Sequence, residues 1–175
     1  QYEPGKIAFV TNRDGNREIY TTDATGRKQT NLSRNPANDW APAWSPDGTK
    51  IAFVSDRQPP GIYIMDADGS NQRFISEADD PSWLPDGSKI IFSKATRHTG
   101  AYQAKRILIA NADGTGVREI PIDAHTASVR DFNWLVSNHN FVAPAVSPDG
   151  ARIALSIGAW EYGWSYDIYL MNIDG

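Results

Sequence analysis

Residues 50–54 and 62–65 form short β-rich runs that are apolar on both alternating faces. A sheet with one wet face reads apolar then polar along each strand, so these runs predict strands covered on both sides. Between them stand Ser45-Pro46-Asp47-Gly48 and Asp66-Ala67-Asp68-Gly69. In the first, proline presets φ for the second turn position, the aspartate side chain bonds nearby backbone, and glycine takes the positive φ that lets an antiparallel strand return.

This arrangement repeats. The stretch Ala43-Trp44-Ser45-Pro46-Asp47-Gly48-Thr49-Lys50-Ile51-Ala52-Phe53 has relatives in Ser82-Trp83-Leu84-Pro85-Asp86-Gly87-Ser88-Lys89-Ile90-Ile91-Phe92 and Ala145-Val146-Ser147-Pro148-Asp149-Gly150-Ala151-Arg152-Ile153-Ala154-Leu155. A clipped copy opens the chain at Pro4-Gly5-Lys6-Ile7-Ala8-Phe9. Gly5, Gly48, Gly87 and Gly150 are spaced by 43, 39 and 63 residues. The first two intervals match the ~40–45 residues of a four-stranded propeller blade, and the third carries an insertion. A second anchor agrees: Asp66-Ala67-Asp68-Gly69 recurs as Asp23-Ala24-Thr25-Gly26, Asn111-Ala112-Asp113-Gly114 and Asn172-Ile173-Asp174-Gly175.

Blades packed face to face around an axis cover both faces of every sheet, whereas a two-layer sandwich leaves one face of each sheet wet. The expected fold is therefore all-β: a β-propeller of four-stranded antiparallel blades, about four in this chain, the first and last incomplete. With strands lettered a to d from the axis outward, the second blade is expected to have a at 41–45, b at 50–55, c at 61–66 and d at 72–75. Blade one spans 4–36 with strands b to d, blade two 37–77 and blade three 78–120. An insertion covers 121–140, and blade four, strands a to c, covers 141–175.

The motif Pro42-Ala43-Trp44-Ser45-Pro46-Asp47-Gly48-Thr49-Lys50-Ile51-Ala52-Phe53, followed by Ser55-Asp56-Arg57 and Ile62-Tyr63-Ile64-Met65-Asp66-Ala67-Asp68-Gly69, resembles the TolB-like propeller repeat. The resemblance spans nearly the whole chain. It is strongest in 4–76, weaker in 81–120, returns in 144–175, and fails in 121–140. It implies a protein of the bacterial periplasm or cell exterior, commonly six-bladed, that serves as a protein-binding scaffold. Related repeats form the non-catalytic propellers of prolyl-oligopeptidase-type peptidases, which keeps a gating role beside a separate catalytic domain as an alternative.

The repeat phase begins at an a–b turn and stops at a c–d turn, so the two end blades do not complete each other. One expectation is a window from a larger propeller, about 80 residues short of six blades. The other is a subunit that self-assembles with further copies of itself through its open strand edges.

Charge and composition narrow the partners. Seventeen Lys and Arg are scattered among twenty-one Asp and Glu for a net charge of −4 across 175 residues, which leaves no basic stripe for nucleic acid. Cysteine is absent, which excludes disulfides, thiolate metal sites and a cysteine nucleophile. No apolar run approaches the roughly 20 residues of a membrane span, so no membrane insertion is expected. The opening Gln1-Tyr2-Glu3-Pro4-Gly5 lacks the regions of a signal peptide; either a leader has been removed or none existed.

In the lettering above, the a–b and c–d turns share one rim, and the b–c and d–a loops share the other. Nearly all length variation falls on the second rim, where binding is expected. The loop at 158–166 carries Trp160, Tyr162, Trp164 and Tyr166. Such aromatics suit a protein interface or carbohydrate contact; alternatively, some extend strands b and c and pack on the next blade. The loop at 94–105 adds Arg97, His98, Tyr102 and Lys105, a mildly basic group suited to an acidic partner, with a plain solvated loop as the alternative. The insertion contributes His125, Arg130, Trp134 and His139, and Trp134-Leu135 echoes Trp83-Leu84. Trp44 and Trp83 occupy one repeat position, with Val146 in the fourth copy, and are expected to pack in the core.

No catalytic residue, metal site or cofactor is expected. The Asp-x-Asp-Gly turns lack the rest of a twelve-residue calcium loop. His98, His125 and His139 lack paired ligand spacing. Gly163-Trp164-Ser165-Tyr166-Asp167 lacks the second glycine of a nucleophile elbow. Asn31-Leu32-Ser33 is a glycosylation-type sequon that matters only in a host that glycosylates secreted proteins.

Overall fold

The computed structural model describes residues 5–95, 105–121, 140–159 and 165–174. Every regular element in them is a strand, and the strands form four antiparallel sheets. The first holds β1 (Ile7–Thr11), β2 (Glu18–Thr22) and β3 (Thr30–Asn31) in that order. The second holds β4 (Asp39–Trp44), β5 (Lys50–Ser55), β6 (Gly61–Asp66) and β7 (Arg73–Ser76). The third runs through β8 (Asp79–Trp83), β9 (Lys89–Ala95), β10 (Lys105–Asn111) and β11 (Arg118–Glu119). The fourth consists of β12 (Asn140–Val146), β13 (Arg152–Ala159) and β14 (Ser165–Asn172).

These are successive blades of a partial β-propeller, two with four strands and, among the described residues, the first and last with three. In the second blade, β5 and β6 have the expected bounds. The inner strand begins earlier, at Asp39, and the outer one is shifted by a residue, to Arg73–Ser76.

The two faces of β5, β6, β9 and β10 serve two different cores. Ile51, Phe53, Tyr63 and Met65 pack with Ile19 and Leu32 of the first blade. Their neighbours Ala52, Val54, Ile62 and Ile64 turn the other way, onto Ile90, Phe92 and Trp83 of the third. Beyond that, Ile91, Ile107 and Ile109 pack with Ile153 and Leu155 of the fourth. Full burial of each such side chain contributes about 1.5–3 kcal/mol, which explains why these strands carry no polar alternation. At the fourth blade the pattern continues past the last packed partner: Tyr169 and Met171 face the third blade, while Ile168 and Leu170 are 78% and 66% exposed.

The Pro-Asp-Gly turns close as expected. The Gly48 amide donates to the Ser45 carbonyl at 2.8 Å, the Ser45 hydroxyl donates to Asp47 at 2.6 Å, and Gly48 sits at φ 66°. The Ser45 hydroxyl first, and then the Thr49 amide, hold the Asp47 carboxyl below its ordinary range.

A feature not expected from the sequence is a bulge in every described inner strand. Ala41, Asp80 and Ala143, each just before a proline, have φ of 51°, 55° and 52°, and strand pairing shifts register across each of them. The left-handed conformation costs a non-glycine residue about 1–2 kcal/mol. Its recurrence at the same repeat position marks a bend built into the blade rather than a local accident.

Candidate functional site

The rim that carries the b–c and d–a loops rests on an arginine at the end of strand b. In the second blade Arg57 Nε donates to Ser55 Oγ at 2.8 Å, and Nη1 donates to Gln72 Oε1 at 2.7 Å. Its Nη2 donates to both carboxylate oxygens of Asp39, at 2.9 and 2.8 Å. The guanidinium also stands over the rings of Phe53 and Tyr63, at 5.3 and 4.7 Å. One cation thus ties β4, β5, β6 and the entry to β7, using the flat, five-donor geometry that lysine lacks. Asp39 is fully buried. Burial pushes its carboxyl above the ordinary value, opposed by the hydrogen bonds from Ser55 and Arg57.

The first blade repeats this device. Arg13 Nη1 donates to Gln29 Oε1 at 2.6 Å, Nε donates to Thr11 Oγ1 at 3.3 Å, and the guanidinium lies over Phe9 and Tyr20 at 5.7 and 4.7 Å. Tyr20 donates its hydroxyl hydrogen bond to Asp14, and that bond leads the causes that raise the phenol's pKa. No inner strand stands in the described part of this sheet, so the position that Asp39 fills beside Arg57 has no counterpart there among the described residues.

The connection between these blades is stitched down by buried Glu18, which is 4% exposed. Its carboxylate accepts from the Ser33 hydroxyl, from Asn16 Nδ2 at 3.2 Å and from the Asn35 amide at 3.2 Å. Asn16 Nδ2 reaches on to the Asn35 and Ala37 carbonyls, at 2.8 and 2.7 Å. Asn38 then bridges the two blades: its Oδ1 accepts from the Arg17 amide at 3.1 Å, and its Nδ2 donates to Asp56 at 2.9 Å. The rim is therefore braced across the first two blades.

Some of the residues singled out from the sequence lie among the described ones. Tyr166 belongs to β14, paired opposite Gly158, and Ser165 stands opposite Ala159. The expected loop at 158–166 is thus narrower, its ends drawn into β13 and β14, and Tyr166 joins β14 because tyrosine favours strands as readily as interfaces. Trp160, Tyr162 and Trp164 lie outside the described residues, as do Arg97, His98, Tyr102, His125, Arg130, Trp134 and His139. Lys105 opens β10. Trp44, Trp83 and Val146 all join inter-blade cores.

Sequence reasoning missed the Arg57–Asp39 pair and the Glu18 lock. The available signal was the recurrence of Thr11-Asn12-Arg13 and Ser55-Asp56-Arg57 at one offset from Phe9 and Phe53. Among the described residues no three His, Asp or Glu converge as a metal site.

A family model described as the TolB beta propeller domain matches residues 2–121. A stretch of 68 residues is 44% identical to the Tol-Pal system protein TolB of Hahella chejuensis, covering 36% of this chain and 16% of that protein. A TolB structure from Agrobacterium tumefaciens superposes with a TM-score of 0.73 at 22% identity, over 98% of this chain and 58% of that one. A prolyl endopeptidase structure gives a TM-score of 0.63 at 13% identity over 28% of its own chain, a likeness of fold alone. The chain thus spans little more than half of the TolB structure and far less of the peptidase.

Proposed function

The chain belongs to the TolB beta propeller domain family, and we propose that it is a non-enzymatic, protein-binding propeller serving a Tol-Pal-type system in the bacterial periplasm. The observation that carries this reading is the braced b–c/d–a rim. Arg57 and Glu18 spend their hydrogen bonds on holding strands and connections of the first two blades, the kind of rigid footing from which a rim recognises a partner. Loops on a rigid scaffold recognise partners with less ordering cost than loops on a soft one.

Within that rim, Trp160, Tyr162 and Trp164 are the proposed anchors, with Arg97, His98 and Tyr102 as further contacts. Rigid aromatics carry a large share of interface energy. The proteins of a Tol-Pal system are the partners to test, by titration calorimetry against the purified chain. Replacing residues 160–164 with a Gly/Ser linker is expected to weaken binding at least about tenfold while leaving the unfolding transition in place. Unchanged affinity removes the aromatic loop from the interface.

A further inference from the structure

The outer strand of the first blade carries a charge unlike that of its siblings. Between Asp23 and Asp39 the chain has no acidic residue, while Arg27, Lys28 and Arg34 all fall in that interval. They bracket β3: Arg27 and Lys28 stand at its entry and Arg34 at its exit, with the Arg34 Nε donating to the Asn31 carbonyl at 2.9 Å. The corresponding segments of the next two blades are balanced, Arg73 against Glu77 and Arg118 against Glu119.

Arg27, Lys28 and Arg34 are exposed, and none forms an ion pair among the described residues. That exposure belongs to the repeat position. In the second blade, which packs against a neighbour on both sides, the counterparts Ser70, Asn71 and Glu77 are exposed as well. The acids nearest to β3 are committed elsewhere. Asp23 accepts from the Thr25 and Arg27 amides, both at 2.9 Å, and Asp14 accepts from the Tyr20 hydroxyl and from Asn31 Nδ2.

Lys28 adds a separate observation. Its φ is 54°, and the same position in the next two blades holds Asn71 at 54° and Gly116 at 65°, the residue types that enter the left-handed region most readily. A lysine there keeps strain that asparagine would relieve, and strain retained on an exposed cation points to function rather than to folding.

The surroundings select the kind of anion. No large apolar side chain is exposed among residues 23–36, so the patch lacks the apolar contact with which a membrane-surface element inserts. Three cations along one strand are also far fewer than a nucleic-acid backbone calls for. What the patch does offer beside its charge is a main-chain edge, since β3 ends its sheet as β7 and β11 end theirs. An extended polypeptide uses both.

We propose that the outer edge of the first blade, along β3, docks an extended acidic segment of a partner protein, its carboxylates meeting Arg27 and Lys28 at one end and Arg34 at the other. The site rests on the protein-binding reading above, extends it to a second surface, and does not use the loop at 160–164.

The probe is a synthetic peptide of alternating Glu and Thr, as long as residues 27–34, titrated into the full chain and followed by backbone amide chemical shifts. Saturable shifts centred on 27–34 are expected, weakening as sodium chloride is raised and absent with the matching Gln-Thr peptide. Replacing Arg27→Gln together with Arg34→Gln is expected to weaken the peptide about tenfold. Lys28→Asn is expected to weaken it about threefold while raising the urea midpoint, a pairing that a purely structural lysine would not give. The chain with residues 160–164 replaced still binds the peptide, so failure of the aromatic loop and failure of this site are read separately. The proposal is overturned by an absence of saturable shifts, by equal binding of the Gln-Thr peptide, or by Lys28→Asn binding as tightly as the parent. Binding to phosphatidylglycerol vesicles without binding to the peptide reassigns the patch to lipid and overturns it too.

Discussion

Arg57 grips both carboxylate oxygens of fully buried Asp39, at 2.9 and 2.8 Å, from the loop at the far end of the neighbouring strand. That pair is the main polar fastening of the second blade, and it makes the rim's rigidity open to measurement. Breaking a buried ion pair from one side leaves the other charge stranded, at a cost of about 3–5 kcal/mol. Arg57→Ala and Asp39→Ala are each expected to lower stability by that order in urea unfolding, while the double variant loses much less than their sum.

The two equivalent tryptophans are expected to respond oppositely to the same substitution. Trp83→Phe removes the bond to Ala43 and strands that carbonyl, at about 1 kcal/mol or more. Trp44→Phe removes a donor that has no acceptor, so it is expected to be neutral or stabilising. Thermal unfolding of the two variants side by side gives the comparison. An equal loss at both sites contradicts it.

Glycine positions with similar backbone angles differ in what surrounds them. Gly61 lies at φ 141°, and a Cβ there would stand 2.2 Å from the Ser76 carbonyl oxygen, so Gly61→Ala forces the c and d strands apart. A cost of about 3 kcal/mol is expected. Gly15, at φ 107°, has nothing within 4 Å of such a Cβ, and Gly15→Ala should cost about 1 kcal/mol of backbone strain alone. Equilibrium denaturation midpoints distinguish the two.

Acid is expected to loosen the turn-rich rim. The carboxyls of Asp23, Asp47, Asp66, Asp68, Asp86, Asp113 and Asp149 all lie below their ordinary value of 3.8, held there by turn hydroxyls and amides and, at Asp66, by Lys50 first. Because the folded chain binds those protons less readily than the unfolded one, the stability they contribute is present above 3.8 and lost as pH falls through the lowered values. Asp39, shifted upward by burial, acts in the opposite sense: its contribution declines as pH rises from 3.8 through its raised value. Urea midpoints are therefore expected to fall between pH 4 and pH 2, and the slope above pH 4 should flatten in Asp39→Asn.

Much of the fold was legible because its causes are local. The double-faced apolar runs, the Pro-Asp-Gly turns and the Asp-x-Asp-Gly turns each depend on a few consecutive residues, so their spacing announced blades, and β5 and β6 began and ended where the pattern said. The site was less legible. Tyr166 read as loop because aromatic residues serve interfaces and strands alike, and only the pairing with Gly158 assigned it to β14.

What the sequence determined by itself, then, was the repeating blade and the direction each strand's two faces must take. What only the tertiary structure decided were the long-range joins: Arg57 with Asp39, Glu18 with Ser33 and Asn35, Trp83 with Ala43, and the missing acceptor at Trp44. The physical reason is one of distance along the chain. A turn is set by neighbours whose chemistry is visible in a short window, whereas a buried ion pair or an indole bond joins residues from different strands or blades. Their partnership exists only once packing has excluded water from between them.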